Sequence, residues 1–361
     1  MIKKNSAGAD AATLKKIAAS VNNQELVAVI GTGVSLALTG SAIPTLSWRG
    51  LIRDGFAYAV RKGRMKEAQA QTWNAQLESY DIDELLLGAE FMGRKLDAPG
   101  GDLYARWLKS VFEKIPVTNR AMAHAISAIQ AAGVPLCTLN YDSLLEQATG
   151  LPTIRLAESV QVSEWMLRHK PGILHLHGSW DVSESCILGI RDYESTLRNE
   201  VRDLIQRSLG SFKRLLFIGC GDTFSDPNFQ ALVLWLRKNM RAATPQHYAL
   251  VSEKEAATYH ADPHWHGFVE PLSYGVDHRS LPESILNLFP PKAKLNVKDR
   301  VTGSTALNRD KEHEKVLRAY KTFLLKDCGE MTLEGVRAQR KFNLERGPAA
   351  SVRCLRTHQS G

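Results

Sequence analysis

Paired cysteines are absent from this sequence. Cys137, Cys186, Cys220, Cys328 and Cys354 stand singly, with no CxxC between them. That excludes a cysteine zinc ribbon and a disulfide framework and leaves reduced, mostly buried thiols. Long apolar runs are also missing: no stretch approaches the ~20 apolar residues a membrane helix needs. The opening MIKKNSAGADAATLKKIAAS has lysines but no apolar segment of a secretory leader, so a cytoplasmic protein is expected. No internal repeat is found.

What is present is an ordinary globular balance, 44% hydrophobic and 23% charged over 361 residues. That suffices for one large or two modest domains with a sizeable core. The net charge of +8 is unevenly placed. Of 46 Lys/Arg and 38 Asp/Glu, 16 and 8 fall after residue 290, leaving 30 of each sign before it. A basic tail on a neutral body is either a solvated, partly helical extension or a contact for an acidic partner such as nucleic acid.

LVAVI (26–30) is a short, β-branched apolar run that breaks into GTGVS, as a buried strand entering a glycine turn would. From Trp48 to about Ala131 the apolar spacing is helical, which predicts an insertion of helices. Strand patterns then alternate with helices: GVPLCTL, PGILHLHG, KRLLFIG, QHYALV and GFVEPL, with a last helix in LPESILNLF. Continuous apolar strands separated by helices predict an α/β fold with a parallel sheet covered on both faces. The domain boundaries follow: an N-terminal segment 1–25, a domain 26–290 with the insertion at 48–131, and a basic tail 291–361. In the tail, KEHEKVLRAYKTFLLK and LEGVRAQRKFNLER have helical periodicity, and GPAASVRCLRTHQSG is expected to lack structure.

Ligands of parallel sheets bind beyond the C-terminal strand ends, and the polar motifs lie there. Gly31, Thr32, Gly33 and Ser35 of GTGVS fit either a phosphate-binding turn or simply a tight strand-to-helix turn. Asn140 and Asp142 of TLNYD place a carboxamide and a carboxylate at the second strand exit, to bind ribose hydroxyls, hold a water or steady positive charge; helix capping competes, most strongly for Asp142. His175 and His177 of HLHG fall on one face if the strand continues, and a histidine there suits acid–base work. A metal at this HxH, or at His264 and His266, lacks a convincing third ligand, so none is expected. Gly219, Gly221 and Asp222 close another strand, followed by Ser225, Asp226 and Asn228. These residues fit the other half of a dinucleotide, or a helix start with Asp226 as cap and Pro227 in its first turn.

Taken in order, VAVIGTGVS, TLNYDSLLE, LHGSWD with DYEST, LFIGCGDTFSDPNF, HYALV and SYGVDH resemble the sirtuin-like family, in its bacterial antiphage-defence branch, over about residues 26–290. The resemblance implies a Rossmann-like, doubly wound parallel sheet with a helical small domain inserted after the first strand, binding NAD as substrate. It implies that GTGVS lies at the phosphates, with Thr32 where the family has alanine, and that Asn140 and Asp142 lie near the nicotinamide ribose. His177 would then be the catalytic histidine, and GCGDTFSDPN would line the adenosine ribose. The zinc ribbon of deacetylating sirtuins is missing, as is their acyl-peptide strand after His177, which points to an NAD hydrolase releasing nicotinamide and ADP-ribose. A non-catalytic NAD or ADP-ribose sensor is the alternative. Members of this branch imply control by homo-oligomerisation or by a partner such as a HerA-like ATPase.

Overall fold

All five residues of β1 (Leu26–Ile30) are buried, and they divide between two cores. Leu26, Ala28 and Ile30 enter one, and Val27 and Val29 the other. A strand covered on both faces has no polar side, which is why its sequence runs apolar without alternation. The computed structural model describes residues 11–40, 43–79, 81–197, 207–221, 247–261, 267–291, 330–331 and 342–343. Six further strands join β1: β2 (Leu136–Thr138), β3 (Thr153–Arg155), β4 (Ile173–His175), β5 (Arg214–Ile218), β6 (His247–Val251) and β7 (Val269–Ser273). Their order is β3-β4-β2-β1-β5-β6-β7, and every neighbouring pair is parallel.

Helices cover both faces. On one lie α1 (Ala11–Asn22), α2 (Thr32–Leu38), α7 (Arg120–Ala131), α8 (Leu144–Thr149) and α12 (Leu281–Leu288), packing Ile17, Val34, Ile126, Leu144 and Ile285 inward. On the other, α9 (Ser159–Met166) contributes Val162 and Trp165, and α11 (Glu253–Ala261) contributes Tyr259. The result is a Rossmann-like α/β fold. Helices α3 (Trp48–Arg61), α4 (Glu67–Gln76), α5 (Ile82–Lys95) and α6 (Asp102–Phe112) lie between β1 and β2 in the chain. Their packing includes fully buried Trp107, whose indole N–H donates to Asp54 at 2.9 Å, and a stack of Trp73 on Phe91 with centroids 4.9 Å apart. After Leu188 the short α10 (Ile190–Leu197) closes the β4 exit loop. No helix among the described residues is long and apolar enough to cross a membrane.

From β1 the chain moves to β2, β3 and β4 on one side, then crosses to β5 on the other. The reversal places a crevice between the C-terminal ends of β1 and β5, the usual ligand position in such sheets. The chain divides into two units, Met1–Pro291 and Lys292–Gly361. In the second unit, β8 (Glu330–Met331) pairs antiparallel with β9 (Phe342–Asn343), setting Met331 opposite Phe342. Within the helix read over LEGVRAQRKFNLER, Phe342 and Asn343 are thus strand, where backbone pairing to β8 overrides a 3.6-residue period, and the rest of that segment lies outside the described residues. KEHEKVLRAYKTFLLK lies outside the described residues.

Candidate active site at the strand exits

The exits of β1 and β5 interlock. The Gly31 N–H donates to Ile218 O and the Gly33 N–H to Gly219 O, both at 2.9 Å. A Cβ on Gly31 would lie 2.5 Å from Gly219 O, and one on Gly33 2.9 Å from Gly219 Cα. Gly219 itself has φ +67°, a left-handed conformation that favours glycine. Close approach of two backbones therefore accounts for all three glycines, with Gly31 as the cap of α2 and Thr32 as its first residue. The strand-to-helix turn is realised, and it carries Ser35, 1% exposed, toward the β2 exit.

There Ser35 joins Asn140 and Asp142. Its hydroxyl donates to Asp142 Oδ2 at 2.7 Å and accepts from Asn140 Nδ2 at 2.8 Å. Since the one hydroxyl proton goes to Asp142, the amide must turn its NH₂ to Ser35, and Asn140 Oδ1 is left buried without a hydrogen-bond partner among the described residues. A buried acceptor without a donor costs about 1–3 kcal/mol, so this atom is a place where a ligand hydroxyl or a water stabilises the protein. Asp142 also serves the start of α8, whose N-cap is Ser143: its Oδ1 accepts from the Leu144 N–H at 3.0 Å. Burial raises the pKa of Asp142, against the Ser35 and Leu144 hydrogen bonds and the nearby His175, which lower it; Glu146 adds to the rise. Asn140 is no cap; its own N–H is held by Thr138 Oγ1 at 3.0 Å.

The two histidines of HLHG differ in what surrounds them. Leu174 and Leu176 enter the α9 core, so His175 and His177 share the other face, where the ladder runs on past β4 through Leu176 N–H to Thr138 O at 2.8 Å. His175 is committed to main-chain and carboxylate partners: Asn140 O at 3.0 Å, Gly178 O at 3.2 Å and Glu146 Oε1 at 2.8 Å. A ring so held cannot swing to a ligand, whereas His177, 4% exposed, follows one residue beyond the ladder bond. The loop after it is tied back by Ile187 N–H to His177 O at 3.0 Å and by the Tyr141 hydroxyl to Ile187 O.

One acidic group escaped the sequence reading. Ser252 and Glu255 open α11 with a capping box: Ser252 N–H donates to Glu255 Oε2 at 2.7 Å, and Glu255 N–H donates to Ser252 Oγ at 3.3 Å. The other carboxylate oxygen lies 3.2 Å from where a Cβ on Gly221 would be, beside the β5 exit. The sequence signal was the S-x-x-E after the LV of β6. Asp222, Ser225, Asp226 and Asn228, with His264 and His266, lie outside the described residues. Burial pushes the thiols of Cys137 and Cys186 far up, and Cys220 is buried as well. Among the described residues no group of three or more His, Cys, Asp or Glu is arranged to hold a metal ion.

A cavity of about 200 Å³ opens at the opposite, N-terminal edge of the sheet, between Gln130, Pro135, Trp165, Arg168 and Lys170. Its lining includes no carboxylate, histidine or hydroxyl. Its ionisable lining is the cations Arg168 and Lys170, without the carboxylate and histidine that meet at the strand exits, so the exits are the better candidate for chemistry.

The fold and its buried polar exits define a Rossmann-like α/β protein with a candidate site at the C-terminal edge of its sheet. Residues 135–267 match the SIR2-like domain family. The match begins at β2, takes in Asn140, Asp142, His177 and Gly219, and leaves out the GTGVS turn. Over these residues the chain is similar to the sirtuin-like family.

Proposed function

We propose that the protein is an NAD hydrolase. The observation that carries this reading is the buried chain Asn140–Ser35–Asp142, which fixes a carboxamide at the strand exits with its oxygen left over. Splitting the N-glycosidic bond of NAD builds positive charge on the ribose carbon while neutral nicotinamide leaves. Water supplies the oxygen that replaces it, so the products are nicotinamide, ADP-ribose and a proton.

Asn140 Oδ1 accepts a hydrogen bond from that water or from a ribose hydroxyl and turns its negative dipole toward the developing charge. His177 takes the proton. Asp142 is held by Ser35 and Leu144 and adds electrostatic stabilisation through Ser35. The interlocked turns of Gly31–Gly33 and Gly219–Gly221 line the pyrophosphate, and Glu255 receives the adenosine ribose hydroxyls. Chromatography of NAD incubated with the full chain tests this. Nicotinamide and ADP-ribose should form in equal amounts, and His177→Ala should slow release roughly 10²- to 10⁴-fold. NAD binding without turnover would replace the hydrolase with the sensor reading.

The SIR2-like match supports use of NAD, and the absence of paired cysteines, hence of a zinc ribbon, favours hydrolysis over deacylation. We also propose that the activity serves antiphage defence by depleting NAD, under control of self-assembly or a partner ATPase, and that the basic tail contacts an acidic partner, nucleic acid included. Cells carrying the wild type should lose NAD on phage infection, and cells carrying His177→Ala should keep it. Equal NAD loss in both would sink the defence role.

A further inference from the structure

His175 is 1% exposed and does not face the substrate position, yet it touches three chain segments that build the site. Its Nδ1 lies 3.0 Å from Asn140 O and 3.2 Å from Gly178 O. Backbone carbonyls only accept, so Nδ1 carries a hydrogen and donates. Its Nε2 lies 2.8 Å from Glu146 Oε1, an oxygen that also accepts from Thr153 Oγ1 at 2.7 Å. A bare Nε2 lone pair against a carboxylate oxygen at that distance repels, so the contact requires a proton between them, and an Oε1 that also accepts from Thr153 favours the carboxylate, with that proton on the ring. With a donor on each nitrogen the ring is an imidazolium, balanced by the Glu146 carboxylate.

The ring therefore fastens the main chain of Asn140, the turn of Gly178 beside His177, and α8, with β3 tied in through Thr153. We infer that His175, held as an imidazolium by Glu146, is a positioning residue that sets Asn140 and His177 in register for the reaction, and that the site loosens when this pair loses its proton. The inference rests on the proposed NAD hydrolysis for its catalytic consequence, but not for the state of the ring.

The charged groups facing His175 agree with it. Glu146 faces it from α8 and Asp142 from the β2 exit. Arg155 of β3 shares its face but turns to Ser179, Glu158 and Asp181. Burial lowers the histidine pKa, but the hydrogen bond and charge of Glu146, the charge of Asp142 and the Gly178 carbonyl outweigh it, and the net shift is upward from 6.5. A folded-state pKa above the unfolded one gives a clip that is complete below the unfolded value of 6.5 and is lost as pH rises through the folded value.

The test uses the full chain with ¹⁵N-labelled histidine, following ring nitrogens by NMR from neutral to alkaline pH in wild type and Glu146→Gln. At neutral pH the wild-type His175 should show two protonated nitrogens, with a pKa above that of an exposed histidine. Glu146→Gln should make the ring neutral and shift the His177 ring and the Asn140 side-chain amide. In turnover assays the same variant should lower kcat roughly 10- to 100-fold with KM little changed, and the alkaline fall in wild-type kcat should move to lower pH. A neutral wild-type His175 overturns the inference, and so does a Glu146→Gln spectrum unchanged at His177 and Asn140. If wild type shows no NAD turnover, the hydrolase reading fails, while the spectra still decide the clip. If Glu146→Gln does not fold, the wild-type titration alone decides, because a ring that loses its proton near 6.5 or below contradicts the proposal.

Discussion

The two edges of the sheet use polar groups in opposite ways. At the N-terminal edge, charged side chains are spent on backbone carbonyls. The Arg168 guanidinium donates to Gly133 O at 2.7 Å, Gln24 O at 2.8 Å and Leu26 O at 3.0 Å, and Lys213 Nζ reaches Gln24 O at 3.3 Å. Arg168 sits at φ +60°, a left-handed conformation uncommon for a residue with a side chain, so three strong hydrogen bonds offset a backbone cost of about 1 kcal/mol. At the C-terminal edge, side chains from separate exits bond one another: Ser35 from the β1 turn, Asn140 and Asp142 from the β2 exit. The first arrangement spends side-chain donors on main-chain carbonyls, with Arg168 Nε left buried without a partner among the described residues. The second joins side chain to side chain and leaves an acceptor, Asn140 Oδ1, without a partner among the described residues. A donor left over on a cation that already holds three carbonyls belongs to the strand ties; an acceptor left over between two strand exits lies where ligands of such sheets bind.

The sharpest way to break this contrast is Asn140→Ala. NAD turnover should fall roughly 10²- to 10³-fold, the scale of losing one oriented dipole at developing charge, while the melting temperature stays near that of wild type. Unchanged turnover would remove Asn140 from the chemistry. Next in size is Gly31→Ala, whose Cβ would lie 2.5 Å from Gly219 O. Overpacking of two fixed backbones should cost about 3 kcal/mol in urea unfolding, and a neutral result would mean the exits are less tightly joined than described. Arg168→Ala should cost about 2 kcal/mol by leaving carbonyls unpaired, with turnover per folded molecule unchanged; a loss of turnover at constant stability would erase the division between the edges.

The smallest effect concerns His247, at the start of β6. Its Nδ1 accepts the Leu215 N–H at 3.1 Å, which requires a neutral ring. Burial, with the nearby Arg214, lowers its pKa from 6.5 to about 3. A depressed folded-state pKa gives stability that is full above 6.5 and lost as pH falls toward 3, at up to about 1.4 kcal/mol per pH unit. His247→Gln should flatten that part of the acid-unfolding curve, and an identical slope in both proteins would contradict the assignment.

Local sequence carried the strands whose both faces are apolar, β1 and β5 above all. It did not carry β3, because Thr153–Arg155 is a three-residue edge strand with polar side chains flanking one buried isoleucine. Nor did it carry α9, whose β-branched residues favour strands and whose end is marked by Arg168 at positive φ instead of the usual glycine. At the site, strand exits pointed to Asn140 and Asp142 from the chain alone. The link to Ser35 spans 105 and 107 residues, so only the fold reveals it. His175 and His177 were indistinguishable by alternation, and the Glu146 partner on α8 separates them. Glu255 was hidden for the same reason, since its place beside Gly221 depends on β5 and β6 lying side by side.

The most direct test of the central claim is hydrogen–deuterium exchange of the full chain with and without saturating ADP-ribose, the product that cannot be turned over. Binding at the strand exits should slow exchange across residues 31–38, 139–144, 176–188 and 219–221, and leave 130–136 and 165–172 as they were. Protection confined to 130–136 and 165–172, around the cavity at the other edge, would contradict the account.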